Sequence, residues 1–319
     1  MRATFRIYRY DPEKDSRASL DTYTLENSEG ITVLEALIRL QQEQDSSLSF
    51  RRSCRSAICG SCAVRVNKGA KLACKTQVAH QMEKFGEVLV EPLANLPPVK
   101  DLIVDFSGFW ERIRKIRPWL AGEADGTWDR ENLQGHDDAR ALEGVASCIM
   151  CSCCLSDCTV AEEDGQFLGP AALAKGFRFV SDTRDRANGE RLNAVNGEHG
   201  VWACAECYNC IQVCPKDVKP MEAILHYRHA ALAAGVNNSR GARHVKAFVD
   251  DIKSSGRLNE ATAPLRIIGP DPAGLLAVAP LGLRMMLKGK IPVLPFLHHS
   301  VDNVEEIKQI FDLIEERKR

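Results

Sequence analysis

The chain has 319 residues, of which 45% are hydrophobic and 27% charged, and its formal net charge is −1. This composition is typical of an ordinary folded protein of about two domains, and the lack of a basic excess argues against binding to nucleic acid. The 13 cysteines are too few for a disulfide scaffold. Because residues 1–10 alternate as a strand does and resemble no export signal, we expect the cysteines to be metal ligands.

The first hundred residues predict a small α+β domain. Strand-like alternation and one helical apolar stripe occur in the order strand 3–9, strand 20–25, helix 31–44, strand 62–66 and strand 87–92. The Pro97-Pro98 pair interrupts regular structure and predicts a domain boundary. We therefore assign residues 1–98 to a first domain.

From residue 101 onward the apolar pattern is helical. Predicted helices cover residues 101–116, 169–182, 219–235 and 301–319. We assign residues 99–235 to a helical domain and residues 236–319, which contain no cysteine, to a C-terminal extension. The longest apolar segment, residues 274–297, contains three cationic residues and is not expected to span a membrane.

Four cysteines in the first domain have the spacing of a plant-type [2Fe–2S] site. Cys54-x4-Cys59-x2-Cys62 is followed by Cys74. The Gly-Ser pair between Cys59 and Cys62 gives the loop room to wrap around two irons and supplies backbone N–H groups to the sulfurs. Four cysteines can also hold zinc, which is the alternative for this site.

Two further cysteine runs repeat the C-x2-C-x2-C-x3-C spacing of bacterial ferredoxins. The first run is Cys148, Cys151, Cys154 and Cys158, and the second is Cys204, Cys207, Cys210 and Cys214. In two-cluster ferredoxins the fourth cysteine of each run ligates the other cluster. One predicted [4Fe–4S] site therefore comprises Cys148, Cys151, Cys154 and Cys214. The second comprises Cys158, Cys204, Cys207 and Cys210, and zinc is again the alternative.

Cys153 stands outside these patterns. It directly precedes the predicted ligand Cys154 and cannot easily point at the same cluster. We interpret it as a small buried thiol. A redox role or a role as an alternative ligand is the other interpretation.

These motifs are similar to those of the iron–sulfur subunit of the succinate dehydrogenase and fumarate reductase family. The resemblance covers roughly residues 1–235 and is carried by SCRSAICGSC (53–62), LAC (72–74), SCIMCSCC (147–154) and CIQVCPK (210–216). It implies a plant-type ferredoxin (β-grasp) domain followed by an all-α domain like that of bacterial ferredoxins. It also implies a separate flavoprotein catalytic subunit that holds FAD and interconverts succinate and fumarate, while this chain carries single electrons.

Two departures from the family pattern concern the last cluster and the quinone site. Most members hold [3Fe–4S] on three cysteines, whereas Cys207 fills the position that is usually not cysteine. This departure at Cys207 favours a full [4Fe–4S] cluster, with the family's usual [3Fe–4S] lacking Cys207 as the alternative. The usual proline and tryptophans are replaced by residues 159–163 and the usual histidine by Ala205, so the usual quinone pocket is not expected.

The fourth cysteine and the long tail resemble the non-classical branch of the family, in which a peripheral cysteine-rich subunit can replace the membrane anchor. We expect an electron-transfer subunit of a succinate:quinone oxidoreductase or fumarate reductase. Its expected partners are the flavoprotein and either a membrane-anchor or a peripheral cysteine-rich, quinone-reactive subunit. Its expected location is peripheral, on the cytoplasmic side of the inner or plasma membrane.

Other interpretations of the same residues remain open. The apolar tail segment 274–297 is expected either to pack over its own domain or to dock a partner or the membrane surface. The alternatives for the whole chain are the iron–sulfur component of a glycolate- or heterodisulfide-type flavoenzyme and a free ferredoxin carrier.

Overall fold

The computed structural model describes residues 1–122, 131–291 and 299–317. The chain divides into two compact units, residues 1–234 and residues 235–319. Residues 292–297 of the predicted apolar segment and residues 318–319 of the last predicted helix lie outside the described residues.

The first unit begins with a five-stranded mixed sheet. Its strands are β1 (Ala3–Arg9), β2 (Ser19–Leu25), β3 (Ala63–Val66), β4 (Gly69–Leu72) and β5 (Val88–Glu91). Their order in the sheet is β2-β1-β5-β3-β4, with β1 and β5 parallel and the other neighbours antiparallel. Two helices accompany the sheet, α1 (Val33–Glu43) and α2 (Val78–Phe85).

Two periodicities fill the core of this sheet domain. Alternate residues of β1, such as Phe5 and Ile7, are fully buried, because one face of the strand meets the core. Helix α1 buries Leu37 and Leu40, which are three residues apart and share one helix face. Thr32 caps this helix by accepting a hydrogen bond from a backbone N–H of its first turn. The loop that follows α1 carries the first cysteine group.

The structure corrects the prediction for residues 98–116. Strands β6 (Pro98–Lys100) and β7 (Ile103–Val104) form an antiparallel hairpin, and helix α3 covers only Ser107–Lys115. The Pro97-Pro98 pair therefore does not end regular structure, and the predicted boundary at residue 98 falls at the start of a hairpin.

Asp101, in the turn of this hairpin, explains why the helix begins late. Its φ of 46° is left-handed, which interrupts a right-handed helix. Its carboxylate accepts hydrogen bonds from the backbone N–H of Tyr10 at 3.0 Å and of Ser49 at 2.8 Å. Arg9 Nε donates to the same carboxylate at 3.0 Å. These bonds attach the hairpin to the sheet domain through residues that are distant in sequence.

The rest of the first unit is helical. Its helices are α4 (His136–Ala146), α5 (Cys153–Ser156), α6 (Thr159–Glu163), α7 (Gly169–Val180), α8 (Asn188–Ala194), α9 (Asn209–Gln212) and α10 (Pro220–Ala233), with a 3-10 turn at Val201–Ala203. Helices α7 and α10 pack together, and an added Cβ on Gly176 would lie 3.1 Å from the ring of the buried Tyr227. A sheet domain followed by a helical domain confirms the expected α+β class.

The described part of the second unit consists of α11 (Arg240–Ser255), α12 (Ala263–Ile268), α13 (Pro272–Leu287) and α14 (Val304–Arg317). Helix α11 packs against α12 and α14. Helix α13 differs from it, because none of its residues is buried and several of its large apolar side chains are exposed. Within the described residues, no helix is both long enough and apolar enough to cross a membrane.

Candidate metal centres

The first cysteine group occupies the loop between α1 and β3, and its last member lies in the turn after β4. The Cys54 sulfur accepts three backbone hydrogen bonds of 3.3 to 3.4 Å, from Ser56, Ile58 and Cys59. The Cys74 sulfur accepts one of 3.3 Å from Ala57. Amide donors of this kind stabilise the negative charge of thiolates that hold iron. The loop therefore has the chemistry that a thiolate-held cluster requires.

The thiols of this group interact with one another. A hydrogen bond from the Ser61 side chain is the main cause that lowers the pKa of Cys59 to about 6, and hydrogen bonds with Cys54 lower it further. Burial raises the pKa of Cys62 to about 12, and both Cys74 and Cys59 contribute as charged neighbours. The structure thus brings all four predicted ligands of the first centre into one neighbourhood.

The second group combines three cysteines of one run with the last cysteine of the other. Cys148, Cys151, Cys154 and Cys214 line one cavity. Cys148 and Cys214 also pack against one buried apolar cluster, formed by Val145, Ala174, Val218 and Ala223. Burial and the charges of the surrounding cysteines raise the pKa of Cys154 well above its ordinary value. The pairing across the two runs is therefore present in the fold, beside an apolar cluster to which α4, α7 and α10 contribute.

The third group is crossed in the same way. Burial, together with the charges of Cys204, Cys158 and Cys207, raises the pKa of Cys210 to about 12. Cys207 is exposed, and the Thr159 hydroxyl lies 3.8 Å from its sulfur. Cys207 therefore lies beside the three other predicted ligands, although it is the most accessible of them.

The loops of the second and third groups repeat one backbone conformation. The residues on either side of Cys151 have φ values of 52° and 66°, and those on either side of Cys207 have values of 55° and 65°. Each loop then enters a four-residue helix, α5 or α9. Left-handed conformations are uncommon outside glycine, so their repetition shows that Cys207 is the structural equivalent of Cys151.

The first cysteine loop touches the second one directly. A Cβ added to Gly60, whose φ is 76°, would lie 2.8 Å from Cys151 Cβ and 3.1 Å from Cys151 Cα. Glycine alone fits at this position, both for the backbone conformation and for the close approach. The loop of the predicted [2Fe–2S] site is thus in van der Waals contact with the loop of the first predicted [4Fe–4S] site.

Polar contacts fix the helical part of the unit on the sheet domain beside these loops. The Asn95 side-chain amide donates to the backbone carbonyl of Leu155 at 2.9 Å and to that of Cys158 at 3.0 Å. The Asp157 carboxylate accepts a hydrogen bond from Arg65 and one from a backbone N–H of β4, both at 3.0 Å. The C-terminal end of α5, and with it the second cysteine loop, is therefore held in place from the sheet side.

Arg228 organises the loop of the third group. This buried side chain donates to the Val201 carbonyl at 2.9 Å and to the Cys204 carbonyl at 2.7 Å, and it forms an ion pair with Glu206. Its charge lowers the pKa of Cys204, although burial has the larger effect and raises that pKa. A positive charge thus lies next to a predicted thiolate ligand.

The contacts around Cys153 differ from those of the grouped cysteines. Cys153 is fully buried, and its thiol donates a hydrogen bond to the Cys151 sulfur, which lowers the pKa of Cys151 to about 7. The sequence identifies Cys153 but not Asn95, Arg228 or Ser152, which also contact these loops or line the cavity. No local motif marks those three residues, since each acts through tertiary contacts.

The residues present fit iron–sulfur clusters. Twelve thiols fall into three groups of four, and amide donors point at sulfurs. Ser152, whose buried hydroxyl has no partner, is one of the residues that line the cavity of the second group. Among the described residues, no three His, Cys, Asp or Glu side chains converge to hold a single metal ion. The four thiolates of a cluster are distributed over two or four irons and do not need to converge on a single ion.

Two known domain families match consecutive parts of the chain. A family described as a 2Fe-2S iron-sulfur cluster binding domain matches residues 4–111. A family described as a 4Fe-4S dicluster domain matches residues 144–218. These matches confirm the expected [2Fe–2S] and [4Fe–4S] cofactors and the order of the two ferredoxin-like domains.

A similar protein sequence and a similar solved structure extend this similarity over most of the chain. The succinate dehydrogenase iron-sulfur subunit of Paracoccus denitrificans is 38% identical over 227 residues, which are 70% of this chain and 86% of that protein. A chain of the Mycobacterium smegmatis Sdh1 complex in the apo form superposes with a TM-score of 0.66 at 27% identity. That superposition covers 74% of this chain and 98% of the other.

Proposed function

The chain belongs to the family of succinate dehydrogenase iron–sulfur subunits, and from that premise we propose that it relays single electrons between the FAD of a flavoprotein subunit and a quinone-reactive partner. The observation that carries this proposal is the grouping of twelve cysteines into three sets of four. Iron–sulfur clusters, when bound, supply reversible one-electron transfer. The chain itself supplies the thiolates, the amide donors and the fixed spacing between the three sites.

The proposed ligands follow the three groups. They are Cys54, Cys59, Cys62 and Cys74 for [2Fe–2S]; Cys148, Cys151, Cys154 and Cys214 for the first [4Fe–4S]; and Cys158, Cys204, Cys207 and Cys210 for the second [4Fe–4S]. The contact between Gly60 and Cys151 supports a short path between the first two sites. Helices α5 and α9 contact each other, which supports a short path between the second and third sites.

Cys207 decides which cluster the third site holds. Its backbone equivalence to Cys151 and its position among Cys158, Cys204 and Cys210 support a fourth ligand and therefore [4Fe–4S]. Electron paramagnetic resonance (EPR) of the oxidised, anaerobically prepared complex tests this assignment. An oxidised low-potential [4Fe–4S] cluster is silent, whereas three ferric irons have an odd electron count and give a signal. A silent wild-type spectrum, with a three-iron signal in Cys207→Ser, is the expected result; a wild-type signal of about one spin per chain would support [3Fe–4S].

The proposed complex is peripheral to the membrane on its cytoplasmic side, with a membrane-associated subunit as the quinone-reactive partner. Helix α13 supports membrane association, because Leu276 and Leu287 are 76% and 79% exposed. Over residues 272–291 the chain carries Arg284, Lys288 and Lys290 and no acidic residue, a charge that complements an anionic membrane surface.

The whole proposal is tested with the complex purified through the full chain. We expect a flavoprotein to co-purify with the chain. We also expect succinate to reduce the [2Fe–2S] cluster, so that its EPR signal appears. In Cys59→Ala this signal and succinate-dependent quinone reduction should both be lost. Ile58→Ala is the matched control, because Ile58 is an exposed side chain on the same loop. Co-purification with a flavoprotein that does not oxidise succinate, or retained activity in Cys59→Ala, would contradict the proposed function.

A further inference from the structure

Ser152 has a buried hydroxyl that the protein does not satisfy. The residue is 1% exposed, and its Oγ has no hydrogen-bond partner. Its backbone carbonyl, in contrast, accepts hydrogen bonds from the N–H groups of Leu155 at 3.1 Å and Ser156 at 3.0 Å. Buried hydroxyls normally have partners, so an orphaned one indicates a group that is absent from the polypeptide.

The position of Ser152 indicates where the missing partner would lie. Ser152 lines the same cavity as Cys148, Cys151, Cys154 and Cys214. It directly follows a proposed ligand and is held with a φ of 66° at the start of α5. The other lining residues include Ala171, Ala174 and Val218, which cannot accept or donate a hydrogen bond through their side chains.

We propose that the Ser152 hydroxyl donates a hydrogen bond to a sulfur of the cluster held by Cys148, Cys151, Cys154 and Cys214, and that this bond raises the reduction potential of that cluster. The inference rests on the proposed function. The reduced cluster carries one more negative charge than the oxidised cluster. A hydrogen-bond donor therefore stabilises the reduced cluster more. In a cavity of low polarity the bond is stronger than it would be in water.

The loop of the third group has a different residue at the position of Ser152, so we expect the raised reduction potential at one cluster only. Tyr208 occupies the backbone position of Ser152 in the loop of the third group, and it is 54% exposed. Asn188 carries a second orphaned atom among the described residues, but this Oδ1 is an acceptor and Asn188 does not line the cavity. The Ser152 hydroxyl is therefore the donor whose removal should affect a single cluster.

The test is an anaerobic redox titration of the purified complex, followed by EPR of the reduced clusters. In Ser152→Ala we expect the reduction equilibrium of this one cluster to become about tenfold less favourable, which corresponds to about 59 mV for one electron. Ser152→Cys keeps a weak donor and should restore part of the shift. The matched control is Ser156→Ala on the same short helix, because the Ser156 hydroxyl already bonds to Ala94 N–H at 3.0 Å and should not alter the potential.

A second measurement separates a hydrogen bond from a structural role. Pulsed EPR of the reduced wild-type cluster in D2O should detect an exchangeable deuteron that Ser152→Ala lacks. An unchanged potential and an unchanged deuteron signal in Ser152→Ala would overturn the proposal. If the Ser152→Ala variant does not assemble the cluster, Ser152→Gly is the second variant. Glycine suits the positive φ and also lacks the hydroxyl donor. Failure of both variants to assemble it would make Ser152 a structural residue, whereas a wild-type protein without this cluster would contradict the proposed function itself.

Discussion

Gly60 lies against Cys151 so closely that a Cβ on the glycine would come within 2.8 Å of the cysteine Cβ. The two residues belong to different domains and to the loops of two different proposed clusters. Because nothing larger than a hydrogen fits, the identity of residue 60 sets the distance between these loops. The small size of Gly60 thus allows the two loops of the proposed electron path to lie in contact.

Gly60→Ala should separate the two loops. The left-handed backbone alone costs about 1–2 kcal/mol for a residue with a Cβ, and overpacking against Cys151 adds about 1–3 kcal/mol. Gly86→Ala is the matched control, since Gly86 also has a φ of 76° but no described atom lies within 4 Å of the added Cβ. We expect a lower unfolding midpoint for Gly60→Ala than for Gly86→Ala, and a weaker magnetic interaction between the first two clusters. Equal effects of the two variants would show that the contact is unimportant.

Asn95→Gly should loosen the attachment of the helical part to the sheet domain. The substitution keeps the φ of 60° accessible but removes the amide that bonds to the Leu155 and Cys158 carbonyls. Buried carbonyls left without donors should lower the free energy of unfolding by about 1–3 kcal/mol. Asn27→Gly is the control, because Asn27 is exposed and has a φ of 51°. Chemical denaturation measures the free energy of unfolding of both variants. Equal values would show that the hydrogen bonds of the Asn95 amide do not contribute to stability.

Arg228→Gln should affect the third centre selectively. The shorter, neutral side chain loses the bonds to the Val201 and Cys204 carbonyls and the ion pair with Glu206. We expect a lower iron content and loss of the third cluster's EPR signature, with the [2Fe–2S] signal retained. Arg243→Gln serves for comparison, since Arg243 likewise bonds to backbone carbonyls, those of Ile267 at 2.9 Å and Ile268 at 3.1 Å, but in the second unit. Full iron content in Arg228→Gln would rule out this role.

Asp182 should make the free energy of unfolding depend on pH. The hydrogen bond from Arg184 lowers the pKa of the buried Asp182 carboxyl below its ordinary value. A carboxyl whose pKa is lower in the folded state contributes stability above its unfolded pKa of about 3.9, and this contribution is lost as the pH falls through the folded pKa. Asp182→Asn should therefore destabilise the protein near neutrality by about 1–3 kcal/mol, and the difference from wild type should shrink in acid. Asp250→Asn, at an exposed pair with Lys246, is the control and should cost less stability near neutrality.

Helix α13 should bind to anionic lipid. Replacing Leu276 and Leu287 together by glutamate puts charges on an exposed apolar surface and opposes both burial in the interface and attraction to anionic headgroups. We expect the purified full complex to sediment less with vesicles that contain phosphatidylserine. Leu133→Glu is the control, since Leu133 is 85% exposed and lies outside α13. Unchanged sedimentation of the double variant would remove the helix from the membrane contact.

The sequence by itself determined the chemistry of the three sites. Three thiolates of each proposed cluster come from one short run, so spacings such as Cys54-x4-Cys59-x2-Cys62 indicate the cofactor. Local periodicity likewise located β1 and α1, because alternation along a strand and the repeat of a helix are properties of neighbouring residues.

Tertiary structure decided what depends on residues far apart in the chain. Asp101 turns the expected start of a helix into a hairpin through bonds to Tyr10 and Ser49, which no local pattern contains. The contact of Gly60 with Cys151 and the orphaned hydroxyl of Ser152 are equally invisible in the sequence. A motif specifies which atoms bind a cofactor, whereas distance and burial around it arise only when separate segments pack together.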